Sequence, residues 1–387
     1  MKPSAFFLPL LVAALVYAAA LASGDDLAAE FLVWKRKLVA ADDAAAPTIE
    51  ELARFHNAKE RVQKLQLEQP KATFSVNTPF ALLTPDEFAE YVGQNDVQHH
   101  RALLEKHVGP DRFRNTTTAE FAKRKLANMA NAVTTDWSAK GCVNSPKGQG
   151  QCGASWAFST IAALESGYCA QTGTLLALSA QDVISCGTNG QGACSGGASA
   201  RTYDWITHIN GGSICTDATF PYTSGNGQVP ACSTSDPYFD CNKPDLGAYF
   251  YEAQHFADHT KLEAIVLEHP VSALATTGVS TFQYYTGGLI MGNEDACPSM
   301  KLDSAILIIG YGVLDGVAYW KIRNQWSTYW GEQGYAYVER GYQGASYGAC
   351  GIETLAYYPV FARGSNAAFN LRCSAQRERV EILGATL

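Results

Sequence analysis

The spacing of hydrophobic positions changes several times along the chain, and each change marks an element. Phe6 to Ala20 is one apolar run behind a single early charge at Lys2, closing on small residues at Ala20 and Ala22. That pattern predicts a cleavable secretory signal over 1–22. The alternative, an uncleaved membrane anchor, would need a longer run than this Pro-interrupted one. From 24 to about 69 the chain is rich in Ala, Leu, Lys and Glu, and Leu52, Phe55, Val62 and Leu65 recur at helical spacing behind Pro47-Thr48 and Glu50-Glu51. This predicts a helix, and Thr84-Pro85-Asp86-Glu87 predicts a second with Phe88 and Tyr91 inward. Residues 23–93 thus read as a small helical domain.

Residues 94–130 are polar, hold His99-His100 and the sequon Asn115-Thr116-Thr117, and read as an exposed linker with Asn115 as glycosylation site. His99-His100 is weighed as plain linker against a processing or pH-sensitive spot. Beyond Ala130, Gly, Tyr, Trp and Cys become frequent. Residues 155–172 predict a helix with Ile161, Leu164 and Tyr168 on one face and Gly173 as its stop. Ser304 to Ile309, Val317 to Arg323 and Tyr335 to Glu339 predict strands separated by Gly-containing turns. A helix-led half therefore precedes a strand-rich half. The tail 363–387 has no assignable pattern.

Composition narrows the function. The chain has 387 residues and 37 Asp+Glu against 29 Lys+Arg, a formal charge of −8. That excess of acid opposes binding to phosphate backbones, so nucleic acid is set aside as a partner. The 11 Cys all lie between Cys142 and Cys373, and none of the 8 His lies beyond His269. No later segment is long and apolar enough to span a bilayer. A soluble product is expected, secreted or in a lysosome-like lumen, where disulfides form. No Cys/His cluster has zinc-like spacing, so neither metal nor cofactor is implied.

Gln149-Gly150-Gln151-Cys152-Gly153-Ala154-Ser155-Trp156-Ala157-Phe158-Ser159 resembles the nucleophile segment of papain-like cysteine peptidases, Q-G-x-C-G-S-C-W-A-F-S. Cys194-Ser195-Gly196-Gly197 resembles their C-x-G-G loop, and Asp303-Ser304-Ala305-Ile306 with Gly310-Tyr311-Gly312 their D-H-A-V…G-Y-G strand. Tyr319-Trp320-Lys321-Ile322-Arg323-Asn324-Gln325-Trp326 with Trp330-Gly331-Glu332 resembles Y-W-x-x-K-N-S-W…W-G-E. More weakly, Glu50, Arg54 and Leu65 fit the helix motif of the family's inhibitory prodomain, with Ala58, Arg61 and Gln69 departing from it. Phe80-Ala81-Leu82-Leu83-Thr84 resembles F-A-D-L-T. The resemblance implies an α+β, papain-like two-domain fold over 131–362, a helical left domain against a β-barrel-like right domain, preceded by the prodomain.

A papain-type site uses a thiolate at a helix N-terminus, an imidazole beside it, an Asn to orient the ring and a Gln to hold the oxyanion. By resemblance Gln149 stands at the oxyanion position and Asn324 at the orienting one. Ser155, however, stands at the nucleophile and Ser304 at the general base. A hydroxyl gives up its proton far less readily than a thiol and depends on a base. Ser304 is not one. The family's His lies roughly 130 to 150 residues after its nucleophile, and that window has no His here. The nearest, His269, precedes Pro270-Val271-Ser272, which resembles a structural strand start.

Other implied features belong to a peptide groove: Gly196 and Gly197 to pair with an extended chain, Leu274 and Ala305 to line a specificity pocket, Trp326 to shield Asn324. For the Gly pair the plainer alternative is the turn alone. Trp137, Trp156 and Trp320 read as core, Asp303 as a solvated loop acid, and Tyr329 as a possible filler of the groove beside Trp326. The resemblance also implies the disulfides Cys152–Cys194, Cys186–Cys232 and Cys297–Cys350. Cys142, Cys169, Cys215, Cys241 and Cys373 remain open, with Cys373 the first candidate for an unpaired thiol.

The resulting expectation is an inactive papain-like homologue that binds extended peptides, protease inhibitors or a protease partner as decoy or regulator. The alternatives are a hydrolase using Ser155 with a non-standard base, and a structural or storage protein. No oligomeric state is implied.

Overall fold

Both helix starts in the N-terminal region are capping boxes, which satisfy the orphan N–H groups of a first turn. The computed structural model describes residues 26–37, 46–93, 134–187, 192–232, 241–247, 249–255, 259–299, 301–342 and 347–361. The signal segment, the linker with His99-His100 and Asn115, and the tail with Cys373 lie outside the described residues. Helix α1 spans 26–37. In α2, Ile49–Glu68, Thr48 Oγ1 accepts from the Glu51 amide at 3.1 Å and the Glu51 carboxylate accepts from the Thr48 amide at 2.8 Å. Thr84 and Glu87 do the same for α3, Pro85–Val92. Arg54 on α2 joins the two, donating to both Glu87 oxygens at 2.6 and 3.1 Å and to the Leu82 carbonyl. Its guanidinium, helped by the Thr84 amide, holds the Glu87 carboxyl down at about 2.

Between the two helices, β1 (Ala72–Phe74) pairs antiparallel with β5 (Tyr285–Ile290), Ala72 opposite Gly288. Nothing in the local sequence announced this strand. Gly288 has φ +76°, and a Cβ there would lie 2.5 Å from the Lys71 carbonyl oxygen, so only Gly permits the approach. Gln69, fully buried, clamps the junction: its Nε2 donates to the Met291 carbonyl at 2.9 Å and its Oε1 accepts from the Met291 amide at 2.8 Å.

The remaining strands are β2 (Thr135–Asp136), β3 (Tyr249–His255), β4 (Val271–Ala275), β6 (Ser304–Leu314), β7 (Val317–Arg323), β8 (Tyr335–Glu339) and β9 (Leu355–Phe361). They run in the order β1-β5-β8-β7-β6-β4-β9-β3, with β2 on β6. Among the described residues the strand path is open, ending in β1 and β3. The N-terminal region itself supplies one edge.

Helix α4, Ser155–Thr172, ends at Gly173 with φ 77°. Its side chains are buried on nearly every face rather than on the single stripe expected, because β4, β6 and β9 flank it on one side and α5 (Ala180–Cys186) and α6 (Ser199–Asp204) on the other. One apolar cluster joins α4 and α5 to Leu274 and Ala305; a second joins the sheet to Phe31, Trp34, Phe55 and Phe88 of the N-terminal region. Five disulfides are present: Cys142–Cys169, Cys152–Cys194, Cys186–Cys232, Cys215–Cys241 and Cys297–Cys350. Trp137, Trp156 and Trp320 are buried. Among the described residues no helix is long and apolar enough to cross a membrane.

Candidate active site

The helical half and the sheet meet where α4 begins. Gly150 turns the chain into the helix with φ +60°, and a Cβ there would lie 2.2 Å from the Gly225 carbonyl oxygen. The Cys152–Cys194 bond, with the Gly153 amide donating to the Cys194 carbonyl at 2.8 Å, draws the 193–197 loop beside it. Gly196 has φ 110°, and Gly196 and Gly197 are both buried. Ser155 is the first residue of α4; Ala154 before it offers no side-chain cap, and the first turn has no acid. The positive end of the helix dipole therefore falls at Ser155.

Across from it, β6 starts at Ser304, which sits opposite Ala275 of β4, with Ala305 opposite Leu274. The Ala305 amide donates to Ser155 Oγ at 3.2 Å. That bond ties helix to sheet. Gln325, just past β7, donates from Nε2 to Ser304 Oγ at 3.5 Å, and its carbonyl accepts from the Gln149 amide at 2.8 Å. Its own amide donates to Asn324 Oδ1 at 2.9 Å, while Asn324 Nδ2 is buried without a partner. Gln149 is buried too: its carbonyl accepts from the Tyr222 hydroxyl at 2.5 Å, and its Oε1 has no partner.

Ser155, Ser304, Gln149 and Asn324 are thus gathered through Ala305 and Gln325. All are hydroxyls or carboxamides, so none exchanges a proton near neutral pH. His269 does not join them. It precedes Val271, the end of β4 remote from Ala275, and the four steps between those residues span about 13 Å. Burial lowers its affinity for a proton, and its ring packs on Tyr358.

Trp326 is buried and meets Trp330 edge-on at 5.1 Å. Phe80 and Phe88 of the N-terminal region pack edge-on against Trp326 at 5.2 and 5.6 Å, and the Tyr91 hydroxyl donates to the Gly150 carbonyl at 2.7 Å. The N-terminal helices therefore reach both flanks of Gln149. Gln283 fixes them further, donating to the carbonyls of Phe80 and Leu83 at 3.0 and 2.8 Å.

One sequence reading changes here. Asp303 is not solvated: it is 2% exposed, accepts from the Thr277 and Gly278 amides at 2.8 and 3.0 Å, and pairs with Lys301. Its partners come from a turn far back in the chain, invisible locally. Tyr329 is 69% exposed. Gln325 escaped notice, although its standing where the resemblance has Ser was a visible signal.

The family model for the papain family cysteine proteases matches residues 132–360. The chain belongs to that family. It is 34% identical to a cysteine proteinase of Trypanosoma brucei brucei over 76% of this chain and 60% of that protein. It is 33% identical to vignain of Ricinus communis over 84% and 81%. Among solved structures, the proform of the ragweed pollen allergen Amb a 11 superposes with TM-score 0.70 at 23% identity, covering 88% of this chain and 96% of that one, a likeness of fold. Bromelain from Ananas comosus, solved with the inhibitor E64, matches with TM-score 0.52 and 31% identity over 59% of this chain and 99% of its own.

Proposed function

We propose that this papain-family chain does not hydrolyse peptide bonds and acts as a secreted or endomembrane-lumen binding protein. Its ligands are extended peptides, protease inhibitors or a protease partner, which it engages as decoy or regulator. One observation carries the reading: the sheet bonds to Ser155 Oγ through the backbone amide of Ala305, and the neighbouring Ser304 hydroxyl and the carboxamides of Gln149, Asn324 and Gln325 offer no base. Loss of nucleophile and base together in a comparable triad costs on the order of 10⁶ in kcat. Leu274 pairs with Ala305, which bonds to Ser155, and the Cys152–Cys194 bond ties the loop of Gly196 and Gly197 to the turn before α4; these observations support retained peptide binding.

The test is an assay of the purified chain on fluorogenic peptides, with E64 as a thiol-directed probe. No hydrolysis and no covalent E64 adduct at position 155 are expected, together with capture on immobilised inhibitors of the family. Turnover that disappears in Ser155→Ala would overturn the reading. Failure of capture would favour the structural or storage alternative.

A further inference from the structure

A site that loses an imidazole is left with a hole, and close-packed interiors do not keep holes. Ser304 is 1% exposed and Gln325 is 3% exposed, and the Gln325 amide reaches back over the first residue of β6 to within 3.5 Å of Ser304 Oγ. An imidazole grown on residue 304 would begin where Oγ ends and extend into the volume that this amide occupies. The Asn324 carbonyl oxygen, which would orient a ring N–H, accepts from the backbone N–H of residue 325 at 2.9 Å, a bond that any side chain at 325 would keep. The other end of the Asn324 side chain, Nδ2, faces buried surroundings with no partner. Gln325 is in turn fixed from the other side, its carbonyl holding the Gln149 amide at 2.8 Å.

We propose that Gln325 is the residue that fills the base position of this site, so that base chemistry is closed at three residues, Ser155, Ser304 and Gln325, rather than at two. The inference rests on the reading of Ser304 as the lost base and adds to it a packing partner. Ser304 and Gln325 then form one packed unit, and restoring a base requires changing both.

The experiment is a double-mutant cycle in the full chain, read by thermal unfolding. Ser304→His alone overpacks the site and Gln325→Ser alone leaves it short of volume, so each lowers Tm. Together they compensate: the Tm of the double variant is expected at least about 2 °C above the sum of the single shifts, since groups in contact couple and distant ones add. Additive shifts would overturn the inference. A second readout places the same pair on a Ser155→Cys background and follows peptide hydrolysis. Ser155→Cys/Ser304→His/Gln325→Ser is expected to exceed Ser155→Cys/Ser304→His at least tenfold, because a base out of reach forfeits its contribution. Equal rates with activity restored in both would likewise overturn it. Hydrolysis by the unmodified chain would instead sink the proposed lack of activity while leaving the packing cycle to stand on its own result.

Discussion

Glu353 makes the stability of this protein depend on pH in a direction opposite to that of most carboxylates. It is 5% exposed, and burial pushes its carboxyl up to about 7 from an ordinary 4.5. The Gly341 amide at 2.7 Å, Trp320 Nε1 at 2.9 Å and the nearby Arg340 charge all favour the ionised form, and burial outweighs them. Arg340 is itself buried, its guanidinium over the rings of Tyr311 and Trp320 at 4.8 and 5.5 Å. A carboxyl whose folded pKa exceeds its unfolded one binds its proton more tightly in the folded state. The stability it contributes is complete below about 4.5 and is lost as pH rises to 7. At 1.36 kcal/mol per unit the loss is about 3 kcal/mol. His269, whose proton affinity burial lowers, acts in the opposite sense, its stability present above the ordinary 6.5 and lost as pH falls below it. The difference between the native chain and Glu353→Gln cancels that contribution. Denaturant unfolding from pH 4.5 to 7.5 is the assay. The expected result is that the native chain loses ground to Glu353→Gln as pH rises; parallel curves for the two proteins would refute the reasoning.

Three further outcomes are expected. Gln69→Ala removes both bonds from the half-buried Met291 backbone, at up to about 1–3 kcal/mol each; limited proteolysis should then cut the 46–93 region faster, and an unchanged digestion rate would argue against the clamp. Asp303→Ala orphans the Thr277 and Gly278 amides and should lower Tm by about 2–10 °C, whereas a solvated acid would leave it unmoved. Ten of the eleven Cys are in disulfides, so alkylation of unfolded, unreduced monomer should add one group, mapped by mass spectrometry to Cys373.

What was legible in the sequence was local. Thr48 with Glu51 and Thr84 with Glu87 satisfy each other across three residues, so both helix starts were readable. Gly173 stops α4 by its own backbone, and β7 and β8 have the bounds their alternation suggested. What was not legible depends on distant partners. Ala72–Phe74 is a strand because Tyr285 to Gly288 lie beside it, more than 200 residues on. Ser155, Ser304, Gln149 and Asn324 could be named by motif; Gln325 showed in sequence only as a departure from the motif's Ser, and its contact with Ser304, which comes from a strand 21 residues away, did not.

The strand Ala72–Phe74 has a consequence for the solution behaviour of any shortened form. The Leu289 amide donates to the Lys71 carbonyl and the Tyr284 carbonyl accepts from the Ser75 amide, while on its other side β5 pairs with β8 only at Leu289 and Ile290. Without the N-terminal region, Tyr285 to Ile290 would become an unpaired margin with a row of free donors and acceptors, a template for joining a second chain. In the intact chain those groups are taken up by Lys71 to Ser75.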